Sequence, residues 1–179
     1  MYWNSFRVIE CLSSKRDALG IHYAEYDSPF GQVIIASIKD GICYIGLDKI
    51  QDAESVLSKR FKSASIDYKK DDVQKLAAEF LNDIHTKQTK TLPLFLYGTP
   101  FQISVWKALL EIPLGQLVSY SDIAEKVEKT RATRAVGTAI GSNPVTCLVP
   151  CHRVVRRSGN LGGYFWGLDV KKRILYLEK

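Results

Sequence analysis

Residues 119–144, SYSDIAEKVEKTRATRAVGTAIGSNP, read as two short helices joined by a tight turn. Ser119-Tyr120-Ser121-Asp122 opens the first, which runs through Val127. The second spans Thr130 to Ile140 with Ala135, Val136, Ala139 and Ile140 as its apolar positions, and Gly141 and Asn143-Pro144 close it. Arg131 and Arg134 stand near its start. This is helix-turn-helix geometry, with the second helix in the recognition position. Many helical hairpins share that geometry without touching nucleic acid, so the stretch alone leaves DNA binding open.

Immediately upstream, Thr99-Pro100-Phe101-Gln102 is a helix start: Thr as N-cap, Pro at the first position and Gln three after the cap. Phe101, Val105, Ala108, Leu109 and Ile112 form the buried stripe, and Pro113-Leu114-Gly115 stops the helix. The first half is different in character. Tyr23–Tyr26, Gln32–Ile38 and Ile42–Leu47 are short runs of β-branched and aromatic residues, separated by Asp27-Ser28-Pro29-Phe30-Gly31 and Lys39-Asp40-Gly41. They predict a three-stranded antiparallel meander. Asp71 to His85 then places Val73, Leu76, Ala77, Phe80, Leu81 and Ile84 on one helical face, with His85 as a surface or capping residue and residues 86–91 as a loop. The predicted fold is α+β. A small N-terminal domain over residues 21–97, an antiparallel sheet plus helix, precedes a mainly helical, winged-helix or helix-turn-helix-like domain over residues 98–179. Residues 1–20 form an unassigned extension.

Downstream of the hairpin, Val145 to Val149 leans towards β, and Pro150 holds Val149 extended. Cys151-His152-Arg153-Val154-Val155 follows on an extended segment, then a Ser158-Gly159-Asn160 turn and Leu161-Gly162-Gly163-Tyr164-Phe165-Trp166-Gly167. That glycine-hinged aromatic loop can wall a pocket. A last helix runs from Leu168 to about Glu178, with Val170, Ile174, Leu175 and Leu177 apolar. Cys151 alone reads as a small buried hydrophobe, but the adjacent imidazole argues for a reactive thiol. On a strand the two side chains would face opposite ways, so His152 helps Cys151 only if the backbone turns there or a water bridges them.

Composition bounds these readings. The 179 residues are 46% hydrophobic and 25% charged, ordinary for a globular protein. No run is long enough to span a membrane, and the N-terminus lacks the pattern of a signal peptide. Cys11, Cys43, Cys147 and Cys151 show no paired zinc-site spacing and read as free thiols of a reducing compartment. Residues 1–100 carry 13 Lys+Arg and 13 Asp+Glu, and residues 101–179 carry 12 and 6, so the whole net charge of +6 lies in the second half. A basic half joined to a neutral one suits a single surface for an acidic partner.

From Thr99 to Lys179 the sequence resembles the O6-alkylguanine-DNA alkyltransferases. The likeness rests on Pro150-Cys151-His152-Arg153-Val154, Arg134-Ala135-Val136-Gly137, Asn143-Pro144, Ser119-Tyr120 and the terminal helix. It extends more loosely through Tyr26-Asp27-Ser28-Pro29-Phe30-Gly31 into the first half, where the family has a small ribonuclease-H-like α+β domain. The resemblance implies irreversible, single-turnover transfer of an alkyl group from O6-alkylguanine in DNA to Cys151, and leaves open whether O4-alkylthymine also reacts. In this reading His152 is the base through a bridging water, and Glu178 orients it, provided Leu175 and Leu177 dock the last helix. Tyr120 donates to the leaving guanine, and Asn143 ties the recognition helix to the active-site segment. The base is flipped from the duplex. Arg134 fills the gap, while Ser119, Thr133, Ala135, Gly137, Arg153, Arg156 and Arg157 meet the DNA. Val154, Tyr164, Phe165 and Trp166 wall the base pocket.

No cofactor is expected, since no glycine-rich nucleotide loop occurs. No metal is expected either, because His22, Cys43 and His85 do not fall on the zinc pattern of some family members. The implied partner is double-stranded DNA carrying O6-alkylguanine, with no membrane, acting as a monomer in the cytoplasm, or the nucleus of a eukaryote. The alternatives are a sensor that binds alkylated DNA without repair and a cysteine hydrolase. Sensors related to the family carry tryptophan where Cys151 stands here. A hydrolase would need a remote histidine and an oxyanion hole, from a chain with three histidines.

Overall fold

The computed structural model describes residues 6–13, 19–39, 41–47, 50–83 and 90–179. Its first half is a six-stranded sheet in the order β1-β6-β4-β3-β2-β5. The expected meander lies at its centre: β2 (Gly20–Ser28), β3 (Gly31–Ile38) and β4 (Gly41–Gly46) pair antiparallel. Ser28 builds the first turn. Its hydroxyl donates to Gly31 O at 2.6 Å and accepts from Phe30 N at 3.2 Å, and Gly31 takes φ +109°, a region open to glycine. Most of β3 and all of β4 are buried, so the sheet is covered on both faces.

Three strands outside the meander make the sheet mixed instead of purely antiparallel. β5 (Ser65–Tyr68) runs parallel to β2, and β6 (Leu92–Gly98) runs parallel to both β1 (Phe6–Leu12) and β4. β1 lies within the unassigned N-terminal extension, where alternation is too weak to mark a strand; its register exists only against β6. Two helices accompany the sheet, α1 (Ile50–Arg60) and α2 (Asp72–Asn82). Asp71 caps α2 with a reciprocal capping box to Gln74. α2 stops short of the expected end, and Ile84, His85 and residues 86–89 of the expected loop lie outside the described residues.

The second half is helical. α3 (Pro100–Leu110) begins at the Thr99 cap, with Thr99 and Gln102 exchanging the two capping bonds. α4 (Tyr120–Lys126) and α5 (Thr133–Gly141) form the helix-turn-helix. α5 begins three residues later than expected. Glu128 turns the chain with φ +56°, and Lys129 and Ala132 backbone NH groups bond Ala124 O and Lys129 O at 2.8 Å each. Thr130 and Arg131 therefore belong to the turn, while Arg134 keeps its place on the first turn of α5, exposed. α6 (Leu168–Leu177) closes the chain.

The reactive segment also departs from expectation. Val145 makes a single bridge to Ile45, the chain then turns through Cys147 at φ +70°, and Cys151–Arg153 is a 3-10 turn instead of a strand. Arg153 N bonds Pro150 O at 3.1 Å and locks that turn. Only Val154–Val155 is extended, as β8, paired with β7 (Val118–Ser119).

The sheet holds this segment from behind. Ile45 N donates to Pro144 O at 2.9 Å, and Thr146 N returns a bond to Ile45 O at 3.1 Å. Arg60 of α1 donates to Ser142 O at 3.2 Å, at the end of α5. One apolar cluster runs from Val33, Ile35 and Ile45 through Leu94 and Trp106 to Ile123, Val136 and Val149. Trp106 is buried within it and donates its indole NH to Ala139 O at 2.8 Å, which fixes α5 on α3.

Candidate active site

Cys151 lies at the wall of a cavity of about 190 Å³, lined also by Tyr120, Gly137, Asn143, Thr146 and the loop Gly163–Trp166. That volume suits a small ring system better than a single water. α5 forms one side with Gly137, Ile140 and Gly141, and the aromatic loop forms the other. Tyr120 stands between two glycines. A Cβ on Gly137 would meet its ring at 3.7 Å, and one on Gly162, where φ is +71°, would come within 2.9 Å of its hydroxyl. Burial raises the Tyr120 pKa, so the phenol keeps its proton. The loop is pinned by Trp166, whose indole NH donates to Thr146 Oγ1 at 2.9 Å.

The 3-10 turn sends Cys151 and His152 into different environments. His152 is fully buried and its Nε2 meets Glu178 Oε1 at 2.8 Å. Burial alone would raise the Glu178 carboxyl, but hydrogen bonds from His152 and Arg153 hold it down at about 2. A carboxylate so firmly ionised accepts the Nε2 proton and fixes the tautomer. Nδ1 is then the lone-pair nitrogen, buried and without a hydrogen-bond partner among the described residues. Burial lowers the His152 pKa despite Glu178, and burial raises that of Cys151. Both shifts favour the neutral thiol and neutral imidazole at rest.

Three groups act on the sulfur. Asn143 Nδ2 donates to Cys151 Sγ at 3.2 Å and to Val149 O at 2.9 Å, while its Oδ1 accepts from Val145 N at 3.0 Å. One amide thus joins the end of α5 to the thiol. The Tyr164 hydroxyl is buried without a well-formed hydrogen bond, yet it lies close enough to the thiol to favour the thiolate. Lys171 of α6 is fully buried, donates to Val154 O at 2.6 Å and to Leu161 O, and its pKa falls to about 8 through burial. Its charge also favours the thiolate.

Three sequence-based assignments need correction. Arg153 does not face DNA. It is 7% exposed, donates Nε to Glu178 Oε2 at 3.0 Å and Nη2 to Oε1 at 2.8 Å, and gives Nη1 to Ile112 O at 2.6 Å. Ser119 is buried, its hydroxyl occupied as the α4 cap accepting from Asp122 N at 3.2 Å. Val154 is fully buried in β8 and does not line the cavity.

The other assigned residues are at least partly exposed or border the cavity. Arg134 and Ala135 are exposed on α5, with Thr133 half-buried beside them. Gly137 lines the cavity, and Arg156 and Arg157 are exposed beyond β8. Tyr164, Phe165 and Trp166 all border the cavity. Sequence reasoning missed Thr146, Ile140, Gly141 and Lys171 as parts of the site. The first three carry no chemical signal, and Lys171 reads as a solvated lysine beside exposed Lys172 and Arg173. Among the described residues no group of three His, Cys, Asp or Glu is placed to hold a metal, and no helix is long and apolar enough to cross a membrane.

The family model for the 6-O-methylguanine DNA methyltransferase DNA-binding domain matches residues 100–179. The chain is 42% identical over 148 residues to the inducible methylated-DNA–protein-cysteine methyltransferase of Bacillus subtilis, spanning 81% of this chain and 83% of that protein. It is 37% identical over 164 residues to the methylated-DNA–protein-cysteine methyltransferase of Methanosarcina acetivorans, spanning 88% and 98%. Among solved structures, Mycobacterium tuberculosis OGT in complex with DNA superposes with a TM-score of 0.72 at 35% identity, covering 88% of this chain and 92% of that one.

Proposed function

The chain belongs to the methylated-DNA–protein-cysteine methyltransferase family, and from that premise we infer how its geometry performs direct alkyl transfer from guanine in DNA to its own thiol. The substrate is an O6-alkylguanine drawn out of the duplex into the Cys151 cavity, since the reacting carbon is out of reach inside the stack. Cys151 is the nucleophile. A free thiol with a pKa of ~8.5 is mostly protonated at neutral pH, and burial deepens that state here. His152 Nδ1, the imidazole's open acceptor, takes the proton through a bridging water, and Glu178 stabilises the imidazolium that forms.

The sulfur lone pair attacks the alkyl carbon. The carbon–O6 bond breaks as the carbon–sulfur bond forms, and the electron pair goes to the guanine. Tyr120 passes its proton to the base edge, so the leaving group departs as neutral guanine, and the proton taken up at His152 is returned through solvent to the phenolate. The product thioether has no leaving tendency, and each molecule acts once. Arg134, Thr133 and Ala135 on α5, with Arg156 and Arg157 beyond β8, form the DNA face. Arg134 fills the vacated stack. Cys43, Cys147 and Cys151, outside any disulfide, suit a reducing, cytoplasmic compartment, and the chain acts as a monomer.

The observation that carries this reading is the construction around one thiol: a cavity of about 190 Å³ lined by Cys151, the Asn143 amide on its sulfur at 3.2 Å, and the buried His152–Glu178 pair that starts at the next residue. Incubation with a duplex containing O6-methylguanine tests it. Irreversible labelling of the protein, lost in Cys151→Ser with DNA affinity kept, supports transfer. Tight binding without labelling supports a sensor, and the absence of both binding and labelling removes the assignment.

A further inference from the structure

The aromatic loop carries one ring that the transfer chemistry does not use. Phe165 borders the mouth of the Cys151 cavity, yet it is 74% exposed. It packs edge-on against Trp166, with ring centroids 4.9 Å apart at 85°. Trp166 is held by its bond to Thr146, and Gly167 N closes the loop onto Tyr164 O at 3.1 Å. Gly162 and Gly167, with φ of +71° and +90°, set the turns on either side. The ring is therefore presented to solvent from a braced platform, with one side against Trp166.

The surroundings select its partner. Arg134, Arg156 and Arg157 are exposed on the elements that flank or follow the cavity, a setting that holds a phosphate backbone and is poor for an apolar protein surface. Extruding a nucleotide uncovers the faces of both of its neighbours, and one guanidinium in the gap, that of Arg134, leaves base surface open on the side where the cavity opens. Aromatic side chains stack on such faces whatever the base, because every base has a π-face.

We propose that Phe165 is a DNA-contact residue that stacks on a nucleobase next to the nucleotide occupying the Cys151 cavity, holding the strand while the damaged base is inside. The proposal rests on the alkyl-transfer reading. It differs from a role as cavity wall, which would act on any ligand of the cavity.

Single-turnover labelling separates the two, using three substrates: a duplex with O6-methylguanine, the same strand alone, and free O6-methylguanine base. Phe165→Ala should slow transfer from both DNA substrates roughly ten-fold more than it slows transfer from the free base, the scale of one lost base–aromatic stack. Phe165→Trp and Phe165→Tyr should keep the DNA rates, and Phe165→Leu should not restore them. An equal loss on all three substrates makes the ring a cavity wall and overturns the proposal. Unchanged DNA rates, or full rescue by leucine, overturn it as well. Absence of labelling in the unmodified protein overturns the alkyl-transfer reading itself, and this proposal with it.

Discussion

Arg153 and Glu178 are bound to each other by three hydrogen bonds: Arg153 Nε lies 3.0 and 3.2 Å from the two carboxylate oxygens and Nη2 lies 2.8 Å from Oε1. The same carboxylate receives His152 Nε2 at 2.8 Å, so a single anion near the end of α6 neutralises the arginine and orients the imidazole. All three side chains are buried, and removing one member leaves a charge without its partner. Glu178→Gln is expected to destabilise the fold by about 3 kcal/mol, as breaking a buried pair does. Urea unfolding measures it, and an unchanged midpoint would show that Arg153 finds compensation elsewhere.

Acid should act on the same trio. Glu178 is held at about 2 in the folded chain, below the ordinary carboxylate value of about 4.3. Its contribution to stability is therefore complete above that ordinary value and is lost as pH falls from there towards about 2. His152, lowered by burial, works in the same direction, because the unfolded chain binds its proton first. For transfer, the acid limb of the rate should fall below the ordinary histidine value of about 6.5, since a protonated Nδ1 takes no proton from the thiol. A rate profile with free alkylguanine checks this. An acid limb above that value contradicts the neutral-imidazole assignment.

Asn143 tests the link between recognition and chemistry. Its amide donates to the thiol and to Val149 O while its carbonyl holds Val145 N. Asn143→Asp places an acceptor against both the sulfur and a carbonyl oxygen. Transfer should fall by ten-fold or more on free base as well as on DNA, a pattern opposite to that of a DNA-contact residue. Loss confined to DNA would make Asn143 part of the binding face only.

What the sequence made legible, and what it hid, follows from the range of each interaction. The Thr99–Gln102 capping box is written within a few residues and is found where local rules put it; the paired helices α4 and α5 are found too, with α5 starting three residues late, whereas Cys151-His152 lies on a 3-10 turn and not on the expected extended segment. The family resemblance assigned Arg153 to the DNA surface. A three-residue 3-10 turn aims it inward, and its partner is 25 residues away. Lys171 finds its carbonyls 17 and 10 residues back, where no periodicity points. β1 has meaning only against β6, at the far end of the sheet domain.

Arg134 separates base flipping from chemistry. It is exposed on the first turn of α5, the helix that walls the cavity through Gly137 and Gly141. A guanidinium is planar and permanently charged, so it can occupy a vacated stack and bond the orphaned base. Arg134→Ala should slow duplex repair sharply, slow single-stranded substrate less, and spare free alkylguanine. Arg134→Lys should restore only part of the duplex rate. A uniform loss on duplex and single strand, reversed by lysine, would make Arg134 a phosphate contact.

The central claim is that the alkyl group ends on Cys151 and stays there. Peptide mass analysis after reaction with excess O6-methylguanine duplex tests it most directly. The expected result is one methyl on the peptide carrying Cys151, with Cys11, Cys43 and Cys147 unmodified and one guanine restored per protein molecule. Methylation at another cysteine, or guanine released in steady multiple turnover while Cys151 stays free, would contradict it.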